Sequence, residues 1–120
     1  MTTRNDSLLA VFRELAELTI LDEGSRNAFR VRAYENAMEA ISSHRGDLAA
    51  LSEKELTSID GIGQSTAKRI REFFEVGRVA RLEELRQKYP PEFVELSRIP
   101  SLGPKTMLRL RDDLGVRNLD

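Results

Sequence analysis

Residues Leu56 to Ile70 read LTSIDGIGQSTAKRI, and forty residues later Leu96 to Leu110 read LSRIPSLGPKTMLRL. In register, the two stretches share Leu56/Leu96, Ile59/Ile99, Gly63/Gly103, Thr66/Thr106 and Arg69/Arg109, five identities in fifteen positions. Thr57/Ser97 and Ile62/Leu102 are conservative pairs. Each copy has one plan: the end of a short helix, a tight turn closed by Gly, and a second helix opened by small or polar residues. A helix start offers unpaired backbone N–H groups and a partial positive charge, and a turn without bulky side chains lets a phosphate reach them. Helix packing that uses glycine only for turning is the bland alternative, and the duplication argues against it.

Outward from the repeat, helical periodicity accounts for the rest of the chain. Residues 6–21 place Leu8, Val11, Phe12, Leu15 and Leu18 on one face, after an Asp6 or Ser7 cap. Asp22-Glu23-Gly24 ends that helix. A second helix is expected over 27–42, with Phe29, Ala33, Tyr34, Ala37, Met38 and Ile41 on the packed face. Asp47 caps a single turn at 48–51, and Ser52 with Glu55 forms a capping box. The first hairpin is Asp60-Gly61-Ile62-Gly63, followed by a helix over 64–76 that buries Ala67, Ile70, Phe73 and Phe74 and stops at Gly77. Residues 79–89 are amphipathic through Val79, Leu82, Leu85 and Tyr89, and Pro91 suits the first turn of the next helix. No segment alternates with period two. The expected fold is all-α, a compact bundle of short helices containing two such motifs.

A length of 120 residues suits one domain, or two small subdomains sharing a core. The absence of Cys excludes disulfides, thiolate metal sites and Cys nucleophiles, and one His makes a structural zinc site a poor fit. No run approaches the roughly 18 apolar residues of a membrane span, and MTTRNDS lacks the apolar core of a signal peptide. The expected compartment is cytoplasmic, nucleoid-associated, with no membrane partner. The net charge of −1 is that of a neutral protein, but it is unevenly spread. Arg26, Arg30 and Arg32 lie in an acid-free run, as do Arg98, Lys105, Arg109 and Arg111. Fifteen Arg against four Lys favours bidentate phosphate contacts, though a GC-rich coding sequence gives the same bias. A solvated helix start is the alternative for Arg26, Arg30 and Arg32. Tyr34 reads as core, His44 as surface, and Glu83 and Glu84 with Arg86 and Lys88 as a solvated face.

The repeated stretch resembles the helix-hairpin-helix motif, which binds the DNA backbone without regard to sequence. The run Asn27 to Ile41, NAFRVRAYENAMEAI, followed by two hairpins at this spacing, resembles the N-terminal region of family X DNA polymerases, bacterial members most closely. The resemblance covers nearly the whole chain. It implies a lyase-like helical domain over 1–76 and a second hairpin subdomain over 77–120. It implies DNA as the partner, preferring gapped or nicked forms with a 5′-phosphate. The implied DNA contacts are Gly61, Ile62, Gly63, Ser65, Thr66, Lys68 and Arg69 at the first hairpin. At the second they are Leu102, Gly103, Lys105, Thr106 and Arg109. Arg30, Arg32 and Tyr34 fall at the implied 5′-phosphate pocket.

No cofactor is required. The resemblance implies a K⁺ or Na⁺ ion at each hairpin, held by the carbonyls of Thr57, Ile59 and Ile62, and of Ser97, Ile99 and Leu102. No catalytic residue is assigned. The polymerase palm with its Asp ligands has no counterpart in this chain, which therefore is not expected to polymerise DNA by itself. The ending VRNLD suggests a longer protein. The family's other activity here, release of a 5′-deoxyribose phosphate, needs a Lys where this chain has Arg69, and arginine stays protonated. Lys68 is adjacent but turned about 100° around the helix. Phe29 and Ser65 stand where the animal lyases have His and Lys. A lyase and a protein-interaction module are the alternatives; the sequence does not speak to oligomeric state.

Overall fold

In the computed structural model, residues 3–98 and Arg109 are described. Six α-helices and a 3₁₀ turn make up the described residues, with no strand among them: α1 (Thr3–Glu23), α2 (Phe29–Ser43), the 3₁₀ turn Leu48–Ala50, α3 (Glu53–Thr57), α4 (Gln64–Val76), α5 (Ala80–Lys88) and α6 (Pro91–Ser97). The all-α expectation holds.

The 21-residue α1 is the axis of the molecule. Leu8, Phe12, Leu15, Leu18 and Leu21 are buried along it, and it packs chiefly on α2, then on α5 and the 3₁₀ turn. It begins at Thr3, one turn before the Asp6 or Ser7 cap read from the sequence. The extra turn carries Asn5 over the loop after α2. There the buried Asn5 amide donates to the Gly46 carbonyl at 2.7 Å, and its Oδ1 accepts from the Leu48 N–H at 3.1 Å.

The second helix starts at Phe29 rather than Asn27, after Ala28, which supplies no side-chain cap. Its buried stripe is Val31, Tyr34, Ala37 and Ile41, with Tyr34 edge-on to Phe12 at 5.9 Å between ring centres. The face read from the sequence was turned too far. Phe29 is 88% exposed, and Ala33 lies beside it on a stripe facing the first hairpin.

The cap assignments hold: Asp47 accepts from Ala49 N–H, Ser52 and Glu55 form the reciprocal capping box, and Gly77 closes α4 with φ of 90°. Pro91 lies in the first turn of α6. Along α4, Ala67 and Ile70 are buried, whereas Phe73 and Phe74 are only half-buried. One core runs from Leu8 to Phe93 and takes in Val79, Leu82, Leu85 and Tyr89.

Of the charges read as a solvated face on α5, Glu83 and Glu84 are exposed, whereas Arg86 and Lys88 form a seam with α1. Arg86 holds the Glu14 carboxylate through two bonds of 2.7 and 2.6 Å. Asp22 accepts from Arg81 at 3.2 Å, from Lys88 at 2.7 Å and from the Tyr89 hydroxyl at 2.8 Å. An amphipathic pattern shows which face is apolar; it does not say that the polar flank meets the opposite charges of α1.

Candidate nucleic-acid interface

The first hairpin is built from backbone. After α3, the N–H of Ile59 donates to the Leu56 carbonyl at 3.0 Å and that of Ile62 to the Ile59 carbonyl at 3.1 Å. Gly61 makes the turn with φ of 94°, which a side chain would resist. A Cβ there would also stand 3.0 Å from the Asn36 carbonyl oxygen, so this glycine seats the hairpin on α2. Ile62, 4% exposed, plugs the turn into the core.

Gly63 differs. Its φ of −88° and ψ of −178° are extended backbone that any residue adopts, and a Cβ would meet nothing within 4 Å. Positive φ and close backbone contact within the chain both fall on Gly61. Gly63 is the N-cap of α4 and supplies no side-chain bond. The N–H groups of Gln64, Ser65 and Thr66 donate to no group among the described residues. The positive end of this 13-residue helix thus carries three donors without a partner among the described residues, next to a position that lacks a side chain.

A shallow groove of about 580 Å³ runs between this hairpin and the start of α2, lined by Phe29, Ala33, Asn36, the segment 57–63, Ser65 and Thr66. Of the sequence-assigned residues, it brings together Thr57, Ile59, Gly61, Ile62, Gly63, Ser65 and Thr66. Asp60 is the one carboxylate among its lining residues. Arg30 and Arg32 are exposed at the start of α2, and Arg69 lies one helical turn beyond Ser65 on the same row of α4.

Lys68 does not join them. It lines a separate recess with Glu53, Glu55, Glu72 and Glu75. The Tyr34 ring is 6% exposed and belongs to the core. Arg109 is exposed; Ile99, Leu102, Gly103, Lys105 and Thr106 lie outside the described residues, and so does the second hairpin.

The charges divide by their partners. Arg81, Arg86, Lys88 and Arg98, on and after α5, all make ion pairs with carboxylates. Arg26, Arg30, Arg32 and Arg69 make none among the described residues, and neither do Arg13, Arg45, Lys54, Lys68 and Arg78. One residue escaped the sequence reading, and another was given the wrong surroundings. Arg71 donates to the Ala49 and Leu51 carbonyls, both at 2.9 Å, and ties α4 to the 3₁₀ turn. Phe29 was assigned to the core, although it lies out of step with the stripe 31, 34, 37, 41, the one signal for its exposure.

A sequence profile of the helix-hairpin-helix domain matches residues 3–79. The chain belongs to this family. The helix-hairpin-helix chain is also 31% identical over 94 residues to the DNA polymerase/3′-5′ exonuclease PolX of Bacillus subtilis (strain 168). That alignment covers 78% of this chain and 16% of the polymerase, so the chain spans a small part of its relative's length. The family X resemblance read from NAFRVRAYENAMEAI and the hairpins therefore stands as a distant homology. Among the described residues, no helix is long and apolar enough to cross a membrane.

Proposed function

We propose that this helix-hairpin-helix module binds DNA through its phosphate backbone, as the gap- and 5′-phosphate-binding part of a DNA repair polymerase. The observation that carries the reading is Gly63. A Cβ there would meet nothing within 4 Å, the next three N–H donors have no partner among the described residues, and nothing in the backbone conformation requires a glycine. A phosphate oxygen accepting from Gln64, Ser65 and Thr66 would satisfy those donors, and Arg69 would add charge one turn along. Arg30 and Arg32 would meet neighbouring phosphates. Such contacts carry no base information, so binding is sequence-independent.

A monovalent cation suits the same hairpin. The carbonyls of Thr57 and Ile62 accept no hydrogen bond from the described residues, and that of Ile59 accepts one, from Ile62. Three backbone oxygens at one turn would hold K⁺ or Na⁺ and leave the ion open to a phosphate. The equivalent role of Ser97, Ile99 and Leu102 at the second hairpin belongs to the same proposal.

The test is fluorescence anisotropy with three 30-base-pair DNAs: intact, nicked, and gapped with a 5′-phosphate. Tighter binding to the gapped form, falling steeply with salt, is the expected result. Weak, salt-insensitive binding to all three would point to a protein-interaction module instead. For a Schiff-base lyase, Lys68 is in the wrong place, among four carboxylates away from the groove. Borohydride should therefore trap no covalent adduct on DNA bearing a 5′-deoxyribose phosphate.

A further inference from the structure

We propose that the recess along α4 from Lys68 to Val76 is a docking site for a basic, amphipathic segment of a partner protein. The inference goes beyond the DNA-binding reading and does not depend on it. The recess, of about 710 Å³, lies between α4 and the chain running from the 3₁₀ turn into α3, and it shares no lining residue with the first-hairpin groove. The carboxylates of Glu53, Glu55, Glu72 and Glu75 line it, against the two cations Lys68 and Arg71. Arg71 is already engaged inside the chain, by Glu75 and by the Ala49 and Leu51 carbonyls. Glu53 is exposed and makes no ion pair among the described residues. The excess charge is negative, so this recess repels a phosphate backbone and attracts a cationic segment.

Acidic side chains alone would make only a solvated surface; two other features point to an occupant. The first is backbone. The carbonyls of Phe74, Glu75 and Val76, the last three of α4, accept no hydrogen bond from the described residues. They lie where Glu75 and Val76 close the recess, and the C-terminal end of a helix carries a partial negative charge that suits an ammonium or a guanidinium. Arg71 displays that chemistry within the recess, because its guanidinium joins two backbone carbonyls and a carboxylate. The second feature is apolar. Val76 is 60% exposed and lines the recess together with Ala50 and Leu51. A purely polar cation would leave this surface in water, whereas a segment with apolar residues at helical spacing from its Lys or Arg covers it. Such an occupant leaves the hairpin and the first N–H groups of α4 open, so the module holds DNA and its partner at the same time.

The experiment records nitrogen–proton correlation spectra of the full chain with a short amphipathic peptide of Lys and Leu, and with the same peptide in which Glu replaces Lys. The Lys peptide should move the amide signals of Ala50, Leu51 and Val76, and the Glu peptide should leave them in place. Glu53→Lys should weaken the Lys peptide about tenfold, and Val76→Ser about fivefold. Glu92→Lys makes the same change of charge on α6, outside the recess, and should have almost no effect. All three altered positions are exposed, and circular dichroism checks that the helices remain. Gapped DNA added to the peptide complex should leave the three signals in their shifted positions. No shift with the Lys peptide, shifts spread over the whole surface, or equal losses for Glu53→Lys and Glu92→Lys would overturn the site. Displacement of the peptide by DNA would overturn the separation of the two surfaces. Shifts at the three residues on raising the protein concentration without peptide would overturn the partner and give the recess to a second copy of the chain.

Discussion

At Gly61 a Cβ would stand 3.0 Å from the Asn36 carbonyl oxygen, whereas at Gly63 it would meet nothing within 4 Å. The two positions should therefore respond oppositely to Val. Gly61→Val combines a β-branched side chain at positive φ with a backbone clash, and should cost about 2 kcal/mol or more. Gly63→Val should leave thermal unfolding within about 0.5 kcal/mol of the parent and still weaken DNA binding, because the new side chain fills the space before the α4 amides. Melting curves and anisotropy on the pair separate scaffold from grip; equal melting of the two variants would sink the distinction. Asn5 makes a third test. Asn5→Leu strands the Leu48 N–H and the Gly46 carbonyl, a loss of about 1–3 kcal/mol. An unchanged midpoint would mean that other partners replace the amide.

Between elements, the seam of α1 with α5 turns on Asp22, whose side chain is 13% exposed. Burial by itself would raise its pKa. The hydrogen bonds from Lys88 and Tyr89, with the charges of Lys88 and Arg81, outweigh that and hold it below the ordinary carboxylate value. A depressed folded pKa contributes stability above the unfolded value of about 3.9 and loses it as pH falls through the folded one. Asp22→Asn should cost about 1–3 kcal/mol near neutral pH, and the gap between the two proteins should close below about pH 4. A gap that is constant from pH 7 to pH 3 would remove charge from the account.

This seam also marks how far the sequence could be read. The caps at Asp47, Ser52 and Gly77 were legible because a cap is a local contract between neighbours in the chain. The apolar stripes were legible wherever burial was deep, as at Leu82 and Leu85. Asn5, Asp22, Arg71 and Arg86 were not, because their partners are distant in sequence and nothing in an amphipathic pattern names them. Phe29 failed for a related reason: at a helix end, hydrophobicity alone does not say whether anything lies opposite. That the hairpin residues share one groove was legible because the repeat fixed their register; that Lys68 lines a separate recess was not, because a repeat does not show on which side of α4 the groove lies.

For the whole molecule, the division of its cations sets the ionic-strength response. A net charge of −1 predicts little attraction for DNA if charge is simply summed. Arg81, Arg86, Lys88 and Arg98 are held in ion pairs with carboxylates, whereas Arg30 and Arg32 at the start of α2 are exposed and make none among the described residues. Arg30→Ala and Arg32→Ala should each lower the slope of log affinity against log salt by about 1. Arg86→Ala should leave that slope alone and cost at most about 1 kcal/mol of stability. A slope that falls equally in all three would mean that net charge, not placement, governs binding. The polar anchors at the two ends of α1 carry a different consequence. Asn5 fastens one end to the loop at 46–48 and Asp22 fastens the other to α5, with a single core between them. Neither α1 nor α5 can let go without the other, so their amide protons should exchange with solvent by one shared opening. Under native-state hydrogen exchange, Leu15 and Leu85 should report the same opening free energy and the same denaturant dependence. Much faster exchange at Leu85 would instead make α5 and α6 a unit that opens by itself.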